Sequence, residues 1–243
     1  FFIIVLSILI TLDKLKQFTV KFILTLFLTL LITFFLIIQP DLGQTLLVGF
    51  TWMVLIFISG INLIFLLTVS LIGLILLLYF IFYVPKFEYI KNRILSFFDP
   101  ETSTHNFQSD KAIDSIISGG FFGKGIGEGT LKNKVPEAHT DYIISVISEE
   151  FGVFVIILIL ILFLVFIFSI FKKVNIEKDH KTKLILVGSA SLILIQAMIH
   201  IGVNIRLFPT TGMTLPFLSY GGSSIISISI LSGIILNLTK RKI

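Results

Sequence analysis

The sequence has no cysteine. That excludes a disulfide framework and a thiolate metal site, and leaves the redox compartment unreadable from cysteine usage. Charge is scarce as well: Asp, Glu, Lys and Arg make up 14% of 243 residues, about half the share of an ordinary soluble domain. With 56% apolar residues and a mean hydropathy of +1.05, no water-soluble core could hide this much apolar surface. Neither Met nor a charged segment precedes the first apolar run, which opens at Phe1. The chain therefore reads as neither a signal peptide nor a natural start, and is expected to be a piece of a longer protein.

The apolar residues are gathered in runs. A bilayer core about 30 Å thick needs roughly 20 apolar residues in helix, and six stretches qualify: 18–38, 42–59, 62–84, 151–171, 184–205 and 217–238, with 1–10 as the tail of a seventh. The strict alternation of a membrane barrel is missing, so the expected fold is all-α: a polytopic transmembrane helical bundle. No internal repeat is visible. The net charge of +5 would suit nucleic acid, but the basic residues cluster in short segments between apolar runs, where membrane orientation explains them, and no nucleic-acid partner is expected.

Orientation follows from those segments. Residues 13–17 carry Lys14 and Lys16, residues 172–183 carry five Lys, and the tail ends Lys240-Arg241-Lys242; all three belong on the cytoplasmic side. Parity then places the 39–41 turn, a long loop over 85–150 and the 208–216 turn outside. The loop holds seven Lys and Arg against ten Asp and Glu, a net of −3, which does not contest the assignment because long loops translocate largely regardless of charge.

Polar and backbone-shaping residues concentrate at the outside helix ends: QPDLGQT at 39–45, PEAHTDYIISVISEEFG at 136–152 and FPTTGMTLPFLSYGGSS at 208–224. Gln196, His200 and Asn204 recur every four residues, hence on one helix face, with Arg206 beyond them. Such a stripe faces a bundle interior, where it either serves function or supplies hydrogen bonds between helices. Asp141, Glu137, Glu149 and Glu150 are the carboxylates nearest the chain's return into the membrane, and spacing alone does not choose a general base among them.

Several patterns are incomplete. SGGFFGKGIGEG at 118–129 has neither the Ser or Thr of a phosphate-binding P-loop after Gly-Lys nor the setting of a dinucleotide site, so its glycines read as backbone turns. The four histidines form no HExxH or other zinc pattern. Ser169-Ile170-Phe171-Lys172 matches a serine–lysine acylation signature by letters, but lacks its companion motifs and is coincidental.

Four blocks together make the chain similar to a known family: QPDLGQ at 39–44, RILSFFDPE at 93–101, the 118–152 stretch, and GVNIRLFPTTGMTLPFLSYGGSS at 202–224. It resembles the SEDS family (shape, elongation, division and sporulation) over essentially its whole length, as a single membrane domain over 1–243 covering about the last seven of ten helices. PEAHTD, with Ala138 where the elongation branch more often has Arg, and TTGMTLPFLSYGGSS resemble the division branch. One departure is His200, where the family usually has Asn.

The resemblance implies a glycosyltransferase that polymerises lipid II into peptidoglycan, joining the C4 hydroxyl of an acceptor sugar to the anomeric carbon of a donor and releasing undecaprenyl pyrophosphate. It assigns the base to Asp141. It makes Arg93, Lys124 and Arg206 candidate cations for the pyrophosphate, and places His139, Thr140, Gln196, Asn204, Ser219, Gly221 and Gly222 at the substrate. A divalent cation, Mg or Mn, is a plausible helper, with the metal ligands left open. Implied partners are lipid II, membrane lipid, a class B penicillin-binding protein transpeptidase and other membrane proteins of the division machinery, at the septum of a bacterial inner membrane with the site facing outside. The rivals are a lipid II flippase, the elongation-type polymerase, or an inactive scaffold. A transport path would need polar residues across the full membrane depth, and these thin out toward the cytoplasmic half.

Overall fold

The computed structural model of the chain describes residues 1–12, 18–98 and 107–240. Lys14, Lys16, Asp99, Glu101, Ser103, Arg241 and Lys242 therefore lie outside the described residues. The helices are α1 (Phe2–Thr11), α2 (Phe18–Ile38), α3 (Leu42–Ile58), α4 (Leu63–Tyr83), α5 (Glu88–Phe98), α6 (Phe107–Gly119), α7 (Ile143–Ile176), α8 (His180–Asn204) and α9 (Gly222–Thr239). Short 3-10 turns occupy Pro85–Phe87 and Lys132–Lys134, and no strand occurs among the described residues. Helices α2, α4, α7, α8 and α9 are long and apolar enough to cross a membrane, while α1 and α3 are shorter apolar helices. The chain is a polytopic all-α membrane bundle, as composition predicts.

Helix α7 runs on to Ile176 and α8 begins at His180, each a turn or so beyond the apolar run, and three further differences from the hydropathy reading have local reasons. Helix α7 starts at Ile143, not Phe151: Ser145, Ser148 and Glu149 look like loop residues but are buried within the protein. Glu149 and Glu150 accordingly sit in the second turn of α7 rather than at its N-terminus. Helix α9 starts at Gly222, not Phe217, because Phe217 has a positive φ of 69° and Leu218 and Ser219 donate back to the Leu215 carbonyl in a turn. The stretch between α4 and α7 also contains α5 and α6, whose mixed polar and apolar sequences carry too little hydropathy to register as spans.

The chain forms two compact units: Phe1–Ile90 with Phe168–Ile195 and Leu231–Ile243, and Lys91–Ile167 with Gln196–Ile230. In the first, Leu6, Ile10, Phe22, Trp52, Leu55, Ile56, Leu66 and Leu184 form a buried cluster, with Phe22 against Trp52 and Phe65 at centroid distances of 5.6 and 5.2 Å. Gly188 lies so close to Ile3 and Leu55 that a Cβ would collide with both, the small-residue contact by which membrane helices approach closely. Buried hydroxyls of Ser7, Thr25, Thr29 and Thr51 donate to carbonyls three or four residues earlier, which satisfies them without a partner helix. Asp41 of QPDLGQ caps α3, accepting from the Gln44 amide at 2.9 Å, worth about 1 kcal/mol.

In the second unit the glycine-rich loop is spliced into a break in α7. Gly152 has φ 80° and ψ 174°, outside the helical region. The amides that would continue the helix bond elsewhere: Val153 and Phe154 donate to the Gly120 and Phe121 carbonyls, and the Glu149 and Glu150 carbonyls accept from Lys124 and Gly125 (2.9 to 3.3 Å). A Cβ on Gly152 would overlap the Phe121 carbonyl, and its φ lies in the left-handed region, so both space and conformation require glycine. The turns read from the glycines alone are therefore parts of one interlocked backbone joint.

Candidate active site at the PEAHTD turn

Residues 137–142 form a tight turn between the 3-10 segment and α7. The Thr140, Asp141 and Tyr142 amides all converge on the Glu137 carbonyl at 3.1, 3.1 and 3.3 Å, with Glu137 itself at φ 53°. A non-glycine residue in that region costs roughly 1–2 kcal/mol, and such strain concentrates at functional sites. The Thr140 hydroxyl donates to the Glu137 carboxylate at 2.9 Å, bracing the turn from its side-chain face.

Three successive carbonyls of the HTD motif are then captured by distant residues. The Tyr220 amide donates to the His139 carbonyl (2.9 Å), the Ser219 hydroxyl to that of Thr140 (2.7 Å), and the Asn204 side-chain amide to that of Asp141 (2.9 Å). The polar stripe of α8 holds the 208–221 segment in the same way. Gln196 donates to the Thr214 carbonyl at 2.9 Å, and His200 Nδ1 lies 2.7 Å from the Met213 carbonyl. All three stripe residues are buried, as the four-residue spacing predicts. Their partners, however, are loop and turn carbonyls, not other helices. An unpaired buried carbonyl is costly, so these bonds couple the shape of the HTD turn to α8 and to SYGG.

Around the Asp141 carboxyl, burial acts first and raises its pKa above the ordinary 3.8, Glu137 raises it further, and Arg93 opposes both. Gly212, at φ 69°, faces this carboxyl: a Cβ there would come within 3.7 Å of Oδ2. Arg93 Nη1 donates to the Thr210 carbonyl at 3.2 Å, which brings Arg93 to the segment that carries Gly212. The neighbouring Tyr142 hydroxyl, also buried, is pushed up to about 12. Beside the turn lies an open cavity of about 800 Å³ lined by Lys132, Glu137, His139, Thr140, Glu150 and Tyr220, among others, a size typical of small-ligand pockets.

The other candidates are arranged unevenly. Lys124 pairs with buried Glu149 at 3.6 Å, and Arg206 with Asp110 at 2.5 Å. Ser219, besides holding Thr140, accepts from the Leu215 amide at 2.8 Å. Gly221 packs against Thr214, and Gly222 opens α9. The structure thus brings Asp141, Arg93, His139, Thr140, Asn204 and Ser219 into one connected region, and places Lys124 on the glycine loop. Lys132, Tyr220 and Gly212 are additional residues of the region that sequence spacing did not single out. Lys132 forms an ion pair with Glu150; the one available signal was that Lys132 and Glu150 flank the recognisable PEAHTD block. Among the described residues no group of three His, Asp or Glu side chains is placed to hold a metal ion.

The chain is also similar to known proteins. The sequence model of the FtsW/RodA/SpoVE family of cell cycle proteins matches residues 1–243. Proteins described as "Probable peptidoglycan glycosyltransferase FtsW" are similar: that of Caulobacter vibrioides is 34% identical over 85% of this chain and 52% of its own, and that of Enterococcus hirae 37% identical over 70% and 44%. That of Geobacter metallireducens is 33% identical over 94% of this chain and 61% of its own. The chain therefore spans about half the length of the relatives it matches. A chain from a solved peptidoglycan synthase complex, studied for its coordination of polymerization and crosslinking, superposes with a TM-score of 0.67 at 30% identity, covering 88% of this chain and 59% of that one. With the family model matched from the first residue to the last, the chain belongs to the FtsW/RodA/SpoVE family of cell cycle proteins.

Proposed function

We propose that this chain carries the catalytic portion of a division-type peptidoglycan glycosyltransferase that polymerises lipid II at the outer surface of the bacterial cytoplasmic membrane. The observation that carries this reading is Asp141: its backbone is fixed by Asn204, its carboxyl is raised by burial, and Arg93 acts on it electrostatically. A carboxylate near its ordinary pKa is a weak base, and burial moves it toward the working range of a general base. Asp141 takes the proton of the acceptor C4 hydroxyl, and the oxygen attacks the donor anomeric carbon with inversion. The bond from that carbon to the pyrophosphate breaks, and its electron pair leaves with undecaprenyl pyrophosphate. Arg93, whose charge acts on the Asp141 carboxyl, is the cation we assign to offset the developing charge. Mg or Mn would supply further charge stabilisation to the leaving group, and among the described residues no group of three side chains is placed to hold it.

The polar stripe favours the enzyme over a flippase. Gln196 and Asn204 bond to backbone carbonyls, and a translocation path would instead need those amides turned to passing headgroups. The cavity beside His139 and Thr140 is where we place lipid II, with the 85–150 segment as an extracytoplasmic loop over it. The partners on this reading are a class B penicillin-binding protein and other proteins of the septum. The test is lipid II polymerisation by the purified full-length protein, alone and with that partner. Glycan strands that vanish in Asp141→Asn support the reading; transbilayer movement of lipid II without glycan formation would replace it by transport.

A further inference from the structure

Helix α7 changes its surroundings at Gly152. Ile144, Ser145, Val146, Ser148 and Glu149 before it are buried, whereas Phe154, Ile157, Leu158, Ile161 and Leu162 beyond it are exposed apolar residues. In a helix apolar enough to span a membrane, a face of that kind meets lipid, so the break marks the level at which α7 passes from protein surroundings into the bilayer. The four backbone hydrogen bonds of the joint hold residues 120–125 at that level.

The same segment displays large apolar side chains outward. Ile117, Phe121, Phe122 and Ile126 are all exposed, Phe122 to 81% and Ile126 to 79%. Phe121 packs against Phe154 of α7 at a centroid distance of 6.2 Å, which makes the loop surface continuous with the lipid-facing surface of the helix. The one charged residue between positions 117 and 127 is Lys124, and it pairs with Glu149. The backbone is also provided for: Gly120 donates to Ile117, Gly123 to Gly119, and Lys124 and Gly125 to α7. A loop without such internal bonds could not enter an apolar medium.

We propose that residues 117–126 form a membrane-inserted wedge, with Phe121, Phe122 and Ile126 seated at the boundary between lipid headgroups and acyl chains. Aromatic side chains favour that depth, and clustered exposed apolar residues call for a covering surface. Because Glu149 also accepts from the Leu131 and Lys132 amides, and Lys132 lines the cavity, the wedge sets the height of the cavity above the bilayer. That is the height at which a lipid-linked pyrophosphate emerges. The insertion stands without the proposed activity, and only this consequence rests on it.

The experiment is site-directed spin labelling of the full-length protein in phosphatidylglycerol and phosphatidylethanolamine vesicles. Single cysteines replace Phe122, Ile126 and, as the reference in the polar α7–α8 turn, Lys178. Accessibility to oxygen and to a water-soluble nickel chelate then reports depth. Labels at 122 and 126 are expected about 5–10 Å below the phosphate plane, the depth of interfacial segments, with oxygen favoured over chelate and the reverse at 178. Chelate accessibility at both positions equal to that at 178 would overturn the proposal. So would labels that become shielded from both reagents only when a transpeptidase partner is added, which would make the surface a protein interface. Each outcome is read from depth and leaves the polymerisation test independent.

Discussion

The side-chain amide of Asn204, at the last position of α8, donates to the backbone carbonyl of Asp141 at 2.9 Å, across 63 residues of sequence. The same amide reaches the His200 carbonyl at 2.9 Å, so the HTD turn is anchored to a helix end rather than left as a free loop.

Removing the anchor without touching the carboxyl isolates positioning. Asn204→Ala leaves the Asp141 carbonyl without its donor, and a displacement of about 1 Å at a reacting group lowers rates roughly 100-fold. In lipid II polymerisation we expect a fall in kcat of about 10- to 100-fold, with KM little altered and the protein still folded. An unchanged kcat would show that the anchor does not matter to chemistry.

Asp141 should separate activity from stability. Asp141→Asn is expected to lower polymerisation by about 10²- to 10⁴-fold, the contribution of a general base. Because the folded state raises this carboxyl's pKa, the native protein holds the proton more tightly than the unfolded chain. Stability from this group is present at low pH and declines as pH rises from 3.8 through the folded value. The Asn variant is therefore expected to melt no lower than the parent at pH 7. The base must be ionised to act, so the parent's activity should fall on acidification at a pH above 3.8. A variant that keeps near-parent activity would move the base to another carboxylate.

Glu149 and Glu150 should differ. Glu149 is fully buried and accepts from the Leu131 amide (2.9 Å), the Lys132 amide (2.6 Å) and the Ser115 hydroxyl (3.0 Å). Glu149→Gln would put an NH₂ group in place of one carboxylate oxygen, against either the Leu131 or the Lys132 amide, costing roughly 3 kcal/mol. Glu150 is partly exposed, with Lys132 and the Gly127 amide as partners, so Glu150→Gln should cost less. Detergent melting curves compare them; a larger loss at Glu150 would contradict the burial argument.

Topology is checked by impermeant thiol labelling in cells. Gln108→Cys, on an exposed position of α6, should react from outside, and Asn175→Cys near the lysine-rich end of α7 should not. The adjacent Ser109 is buried and unsuitable. The reverse labelling would invert the orientation.

Much of the architecture was readable in the sequence because lipid imposes so few solutions. A run such as Phe18–Ile38 can only be a helix in hydrocarbon, and a residue every fourth position, as at Gln196, His200 and Asn204, must share its face. The PEAHTD and SYGG blocks likewise pointed to the candidate site, since they gather polar residues at one end of apolar helices. Tertiary structure alone decided what each polar group does. Hydrogen bonds are made by geometry between segments far apart in sequence, so no periodicity could show that Gln196 and Asn204 serve backbone carbonyls. Nor could it show that Lys124 is paired with Glu149 while Lys132 faces a cavity. Hydropathy also misjudged the starts of α7 and α9. At α7 a window average registers a buried serine or glutamate as polar whether or not the fold supplies its partners, and at α9 it counts Phe217 as helical whatever its backbone φ.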